Sequence, residues 1–153
     1  MKALELKIPP PLVALLIGVG MWLLARATLS LQLPAALRLG AALVLAAAGI
    51  GAAVSGVVAI HRAKTTLNPF NPDETTSLVT NGIFERTRNP MYLGLLLVVT
   101  AWAVYLCVPW ALLGPLVFVF YLNRFQIAPE ERIMAAKFGN EFSAYRQKVR
   151  RWL

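Results

Sequence analysis

The chain has 153 residues, of which 58% are apolar, and its mean hydropathy is +0.63. Fifteen Lys and Arg residues against seven Asp and Glu residues give a formal net charge of +8, but the cations flank apolar runs instead of forming a polar basic face. This composition excludes a soluble enzyme, a disordered tail and, with one cysteine, a disulfide scaffold, and it offers neither a metal site nor a nucleic-acid surface. It is typical of an integral membrane protein.

Two apolar stretches near the N-terminus have the length of membrane-spanning helices. A bilayer core of about 30 Å needs roughly 20 residues of helix. Residues 11–29 and 39–60 meet this requirement, and the second stretch contains no charged residue. A short apolar stretch after Lys2 and Lys7 also resembles a signal peptide, although Arg26 fits a retained span better.

The third apolar region, residues 91–122, is too long for a single crossing. One straight helix of that length would extend about 48 Å. Pro109 and Pro115 lie near its middle, where proline breaks a helix. We therefore predict two spans, one at about 91–107 before the break and one at about 110–126 after it. The predicted fold is an all-α, multi-pass membrane bundle with four transmembrane helices.

The distribution of cations predicts the orientation of this bundle. Four crossings place the N-terminus, the 61–90 loop and the C-terminal tail on one face, which then holds all of the 15 Lys and Arg residues except Arg26 and Arg38. Loops rich in Lys and Arg stay in the cytoplasm. We predict a protein of the inner membrane with both termini cytoplasmic, divided into a two-helix hairpin at 1–60 and a core at 61–153.

The second span carries small residues at four-residue spacing, which lets helix backbones approach closely in lipid. One stripe consists of Ala47, Gly51 and Ser55. The neighbouring stripe consists of Ala48, Ala52 and Gly56. Packing against the first span and formation of a homodimer through this helix both remain open. A permeation path is the third alternative, but no acidic residue lies within any span.

The first polar block, residues 61–89, ends in a pattern typical of an anion site. Asn89 suits an N-cap and Pro90 suits the first helical position. The backbone N–H groups of Met91 and Tyr92 would then point to the cytoplasmic surface, with Arg88 beside them. A helix start of this kind binds a carboxylate or a phosphate. The alternative is a capped helix with interfacial arginines and an interfacial tyrosine.

The second polar block contains Pro129, Glu130 and Glu131. Proline followed by two acids is ordinary helix-start chemistry, but one carboxylate facing a pocket could instead bind ribose hydroxyls or an ammonium group. Beyond them, apolar residues recur every three or four positions with cations opposite. We predict a C-terminal amphipathic helix on the anionic inner leaflet, with Gly139 as a candidate break.

Together the two blocks resemble the isoprenylcysteine carboxyl methyltransferase family and its bacterial phospholipid-methyltransferase-like relatives, over about residues 62–153. The resemblance is carried in order by TSLVTNGIF at 76–84, RNPMYLG at 88–94, EE at 130–131, FGNEF at 138–142, and Tyr145. It implies a membrane methyltransferase that uses S-adenosyl-L-methionine and methylates a carboxylate, amine or thiol on a lipid-like or isoprenylated acceptor at the cytoplasmic face.

The resemblance also implies site residues. Cofactor contacts would come from Thr76, Ser77, Leu78, Val79, Phe84, Asn89, Pro90, Met91, Tyr92 and Glu130, next to Arg88 of the anion site. Glu130 and Glu131 are candidate bases for an amine acceptor. Gln126 stands where the carboxyl methyltransferases have a substrate-binding arginine, and Arg124 is the candidate to replace it.

Three other functions are alternatives to a methyltransferase. A small four-helix transporter needs a membrane-embedded carboxylate, which the predicted spans do not contain. A membrane reductase would use NADPH, but the sterol reductases with a similar C-terminal pocket are much longer. A non-catalytic membrane subunit could keep the shape of the pocket without its activity.

Overall fold

The computed structural model describes residues 5–65 and 77–153, and within these ranges the chain is all-helical, without a β-strand. Five α-helices follow one another: α1 (Pro10–Ala27), α2 (Ala35–Arg62), α3 (Pro90–Leu106), α4 (Leu113–Leu122) and α5 (Ala128–Lys148). Short 3₁₀ helices lie at Gly82–Glu85 and Pro109–Leu112. A π-helical turn, Asn123–Ile127, joins α4 to α5.

Three helical stretches in the described ranges are long and apolar enough to cross a membrane. They are α1, α2 and the continuous helical run Pro109–Lys148, whereas α3 is apolar but only 17 residues long. Large apolar side chains on the outer faces are exposed, for example Leu15 at 62%, Val44 at 71% and Phe120 at 73%. Exposed apolar surface of this extent requires a lipid environment, so this is a membrane protein.

Proline positions set the boundaries of these helices. Pro10 and Pro90 each occupy the first turn of a helix, where a missing N–H has no effect on the hydrogen-bond ladder. The predicted break in the third apolar region is confirmed. Helix α3 ends at Leu106, Cys107 adopts a left-handed conformation with φ 54°, and Pro109 begins the next helical segment.

Glycines allow α2 and α3 to pack with their backbones in contact. A Cβ atom added to Gly49 would lie 2.6 Å from the carbonyl oxygen of Gly94, and one added to Gly56 would lie 2.8 Å from Cγ of Pro90. Gly49 and Gly56 of α2 therefore pack against α3 and not against the first helix. Gly51, which belongs to the other predicted stripe, has nothing within 4 Å of its Cβ position.

Backbone contacts between loops show which helix ends lie together. The N–H of Leu6, just before α1, donates to the carbonyl of Phe125 in the π-helical turn at 3.0 Å. At the opposite end, the N–H of Leu31 in the α1–α2 connection donates to the carbonyl of Cys107 after α3 at 2.8 Å. The start of α1, the end of α2, the start of α3 and the start of α5 consequently share one end of the bundle.

The apolar side of α5 packs on protein. Phe142 and Tyr145 are buried in a cluster with Ile60 at the end of α2 and Phe84 in the preceding loop. Gly139 breaks the helix as predicted, with φ 49° and ψ −118°. The tail helix that the sequence predicts to lie on the lipid surface thus finds a protein partner for these apolar side chains.

Candidate functional site

A cavity of about 280 Å³ lies at the end of the bundle where α3 and α5 begin. Its wall is largely apolar and carries a small number of polar groups, which is the usual composition of a small-molecule site. The loop at 77–84, the first turns of α3, both halves of α5 and the start of α1 all contribute to it.

Most of the predicted site residues line this cavity. They are Ser77, Leu78, Val79, Phe84, Arg88, Asn89, Pro90, Met91, Tyr92, Glu130 and Glu131. The structure thus brings the two polar blocks of the sequence, which are separated by the α3–α4 hairpin, into one wall. Thr76 lies outside the described residues.

Arg124 is not part of the wall. Its guanidinium pairs with Glu5 at 2.8 Å, and Arg132 pairs with the other oxygen of the same carboxylate. The hydrogen bond from Arg124 and the charge of Arg132 hold the pKa of Glu5 below its usual value, against the effect of desolvation. These ion pairs fasten the segment before α1 to the helix, and α1 begins with Pro10 and Pro11, which do line the cavity.

Glu130 lies at the centre of a hydrogen-bond network in the wall. The hydroxyl of Tyr92 and the amide of Gln126 both donate to its Oε1, at 2.6 Å and 2.9 Å. Burial raises the pKa of this carboxyl to about 7, although the two hydrogen bonds favour the ionised form. Glu130 can therefore hold or release a proton near neutral pH, as a general acid or base must.

Glu131 differs from its neighbour because it is paired with two arginines. Nη2 of Arg88 donates to Oε1 at 2.7 Å, and Arg151 donates to both oxygens, from Nη2 at 2.6 Å and from Nε at 3.1 Å. Burial alone would raise the pKa of Glu131, but the hydrogen bond and charge of Arg151 and the charge of Arg88 outweigh it and lower the pKa. Glu131 stays ionised at neutral pH and acts as a fixed anion.

A non-helical segment after α5, residues 149–152, returns to the start of α3, and we call it the C-terminal strap. The N–H of Arg88 donates to the carbonyl of Arg150 at 3.1 Å, and Nδ2 of Asn89 donates to the carbonyl of Arg151 at 2.8 Å. Asn89 occupies the predicted N-cap position, but its side chain binds the strap and makes no capping hydrogen bond.

Sequence reasoning missed several residues of the site. The apolar ones are Pro10, Pro11, Leu95, Ile127, Met134 and Phe142, and Tyr145 also lines the cavity. Hydropathy does not distinguish an apolar side chain that faces a cavity from one that faces lipid. In the sequence Arg151 is one of many predicted cytoplasmic cations, and no local pattern marks its pairing with a glutamate twenty positions earlier.

Comparisons with known proteins give the family of this chain. The family model described as "Phospholipid methyltransferase" matches residues 37–141. A Haemophilus influenzae protein described as uncharacterized is 51% identical over 63 residues, which are 41% of this chain and the whole of that protein. No solved structure matches the chain. The family match runs from α2 into α5 and includes every predicted site residue.

Proposed function

This chain belongs to the phospholipid methyltransferase family, and we propose that it is an integral membrane methyltransferase that uses S-adenosyl-L-methionine and methylates a lipid-like acceptor. One observation carries the proposal. The start of α3 with Arg88 and the buried carboxyl of Glu130 lie in the wall of a single cavity. The anion-binding corner suits the carboxylate at one end of this cofactor. The carboxyl of Glu130 beside an apolar wall suits the nucleoside at the other end.

The anion-binding corner supports a ligand carboxylate. The Arg88 side chain is only 10% exposed, and its Nε is buried without a hydrogen-bond partner among the described residues. The first N–H groups of α3, including that of Met91, lie at the positive end of the helix and lack intrahelical acceptors. Because buried donors need acceptors, this corner suits the carboxylate of the amino-acid part of the cofactor.

The carboxyl at the other corner supports a hydroxyl or ammonium group. In the described part of the chain, both hydrogen bonds to Glu130 end on Oε1, so Oε2 can accept a bond from a ligand. Leu78, Val79 and Phe84 add an apolar surface to the same cavity. That surface suits the flat ring of a nucleoside.

The residues of the cavity wall have different roles in the proposed methyl transfer. When bound, S-adenosyl-L-methionine supplies an activated methyl group on a sulfonium. A carboxylate or thiolate acceptor then needs only alignment and a water-free cavity, which the apolar wall favours. An ammonium acceptor must first lose a proton, and Glu130, with its pKa near 7, is the group placed to take it. Glu131 instead keeps Arg88 in position.

The arrangement of helices supports a proposal for topology. We infer four crossings, formed by α1, α2, α3 and the apolar part of the run that begins at Pro109, with both termini and the cavity at the cytoplasmic end. Within residues 5–65 and 77–153, all Lys and Arg residues except Arg26 and Arg38 belong to segments at that end. The excess of cations favours the cytoplasm and the surface of an anionic leaflet.

Calorimetry in detergent tests the cofactor. We expect S-adenosylhomocysteine to bind the purified protein, and we expect Glu130→Gln to weaken binding about ten-fold because a bond to a charged group is lost. Glu141→Gln, on the exposed side of α5, is the matched control and should bind like the wild type. A folded protein that gives no heat with S-adenosylhomocysteine contradicts the proposal, and heat with NADPH alone would favour a reductase.

The acceptor requires a separate measurement. We expect lipid extracts of cells with and without the protein to differ in species separated by one methyl group. The family description supports a phospholipid among these species. Unchanged lipids, in cells whose purified protein does bind S-adenosylhomocysteine, would favour a non-lipid acceptor.

A further inference from the structure

Arg151 joins the C-terminal strap to both sides of the proposed cofactor site. Its guanidinium binds both oxygens of Glu131, and its Nη1 donates to Oδ1 of Asn123 at 3.3 Å. Its carbonyl oxygen accepts hydrogen bonds from Nδ2 of Asn89 at 2.8 Å and from Oγ1 of Thr87 at 3.3 Å. One residue thus bridges α5, the π-helical turn and the segment that leads into α3.

The position of Arg88 depends on the same contacts. Its Nη2 shares the Glu131 carboxylate with Arg151, while its Nη1 donates to the carbonyls of Arg146 and Val149 at 3.2 Å and 3.1 Å. Glu131 therefore holds two guanidinium groups at once. Without Arg151, the carboxylate would lose its bidentate partner and Arg88 would lose a fixed acceptor.

We propose that Arg151 is a positioning residue that acts through Glu131 and the strap to hold Arg88 and the start of α3 in the geometry that binds the carboxylate of the cofactor. The inference rests on the proposed function and extends it to a residue beyond the family match at 37–141. Arg151 is not among the residues that line the cavity, so its effect on binding is indirect.

Arg150 provides a matched control within the strap. It has the same charge, is adjacent in sequence and is exposed. Its backbone carbonyl accepts the hydrogen bond from Arg88, and a side-chain substitution leaves that bond in place. A general effect of charge or of the C-terminus on binding would appear equally in Arg150→Gln and Arg151→Gln.

Titration of the protein in detergent with S-adenosylhomocysteine tests the inference. We expect Arg151→Gln to raise the Kd about ten-fold, as for a lost charge-assisted hydrogen bond, and Arg150→Gln to leave it unchanged. Wild-type affinity in Arg151→Gln, with the wild type binding normally, overturns the inference and leaves the proposed function intact. If the wild type itself does not bind, the proposed function fails and the inference fails with it.

A double-mutant cycle separates positioning from a merely structural role. Because Arg151 acts through Glu131, adding Arg151→Gln to Glu131→Gln should weaken binding much less than Arg151→Gln does alone. If the fold-increase in Kd of the double variant equals the product of the increases in the two single variants, the inference is overturned. If Arg151→Gln does not fold, Arg151→Lys is measured instead, and Arg150→Lys serves as its control. A several-fold rise in Kd only in Arg151→Lys supports the inference, and an unchanged Kd overturns it.

Discussion

Glu130 and Glu131 are adjacent in the sequence, where they read as two equivalent acids at a helix start. In the fold, Glu130 turns toward Tyr92 and Gln126 in a buried setting, while Glu131 receives two guanidinium groups. Burial without a cation raises the pKa of Glu130 to about 7, whereas the arginines lower that of Glu131. The structure thus favours Glu130 over Glu131 for any proton transfer.

The raised pKa of Glu130 predicts a dependence of stability on pH. The folded chain keeps a proton on this carboxyl up to about pH 7, whereas the unfolded chain releases it near the usual value of 4.5. The folded state therefore binds more protons between these values. Its free energy of unfolding should fall as the pH rises through this window, by up to about 3 kcal/mol, and level off above it.

Thermal unfolding in detergent from about pH 5 to about pH 8 measures this effect. Glu130→Gln cannot ionise, so the wild type should lose stability relative to the variant as the pH rises. The comparison cancels the contributions of other titrating groups, which the two proteins share. Wild-type and variant curves that stay parallel over the whole range would contradict the raised pKa.

Arg88 and Arg124 offer a second comparison between single residues. Arg88 lines the cavity and Arg124 pairs with Glu5 outside it. We expect Arg88→Gln to weaken binding of S-adenosylhomocysteine about ten-fold or more and Arg124→Gln to leave it nearly unchanged. The measurement is calorimetry on both variants. Equal losses would bring Arg124 into the site, as its position two residues before Gln126 suggests.

At the scale of the helices, the sequence predicts where a helix begins or breaks better than it predicts which helices pack together. Pro90 marks the start of α3, Pro109 marks the break after it, and Gly139 marks the break in α5, because proline and glycine act locally on the backbone. The pairing of α2 with α3 was not predicted, since small residues lie on several faces of α2. The π-helical turn Asn123–Ile127 has no sequence signature, and neither does the return of the strap to the start of α3.

The close packing of α2 on α3 predicts opposite outcomes for two glycines of the same helix. Gly56→Ala would place a methyl group 2.8 Å from Pro90 at the start of α3, and the resulting overpacking should cost about 2 kcal/mol. Gly51→Ala meets nothing within 4 Å and should be neutral or slightly stabilising, because alanine favours helix. Unfolding of both variants in detergent measures the difference.

The same pair of variants connects packing to the site. Because Gly56 contacts the residue that begins α3, its substitution should also weaken binding of S-adenosylhomocysteine, whereas Gly51→Ala should not. Loss of stability in Gly56→Ala without loss of binding would show that the site tolerates a shift of α3. Equal destabilisation in both variants would contradict the packing of α2 on α3.

At the scale of the whole molecule, charge and site occupy the same end of the bundle. Contacts between Leu6 and Phe125 and between Leu31 and Cys107 define the two ends independently of any charge. The cavity lies at the first end, together with most of the Lys and Arg residues that the structure describes, whereas Arg26 and Arg38 lie at the opposite end. A cofactor made in the cytoplasm would reach the cavity only if that end faces inward.

Labelling of single cysteines in intact cells measures this orientation. Cys107→Ala removes the native thiol, and Gln32→Cys or Lys148→Cys then places one exposed thiol at either end. We expect a membrane-impermeant maleimide to label Gln32→Cys directly and Lys148→Cys only after permeabilisation, because the excess of Lys and Arg retains its end in the cytoplasm. The reverse pattern would place the cavity outside the cell, away from its proposed cofactor, and would contradict the proposed function together with the orientation.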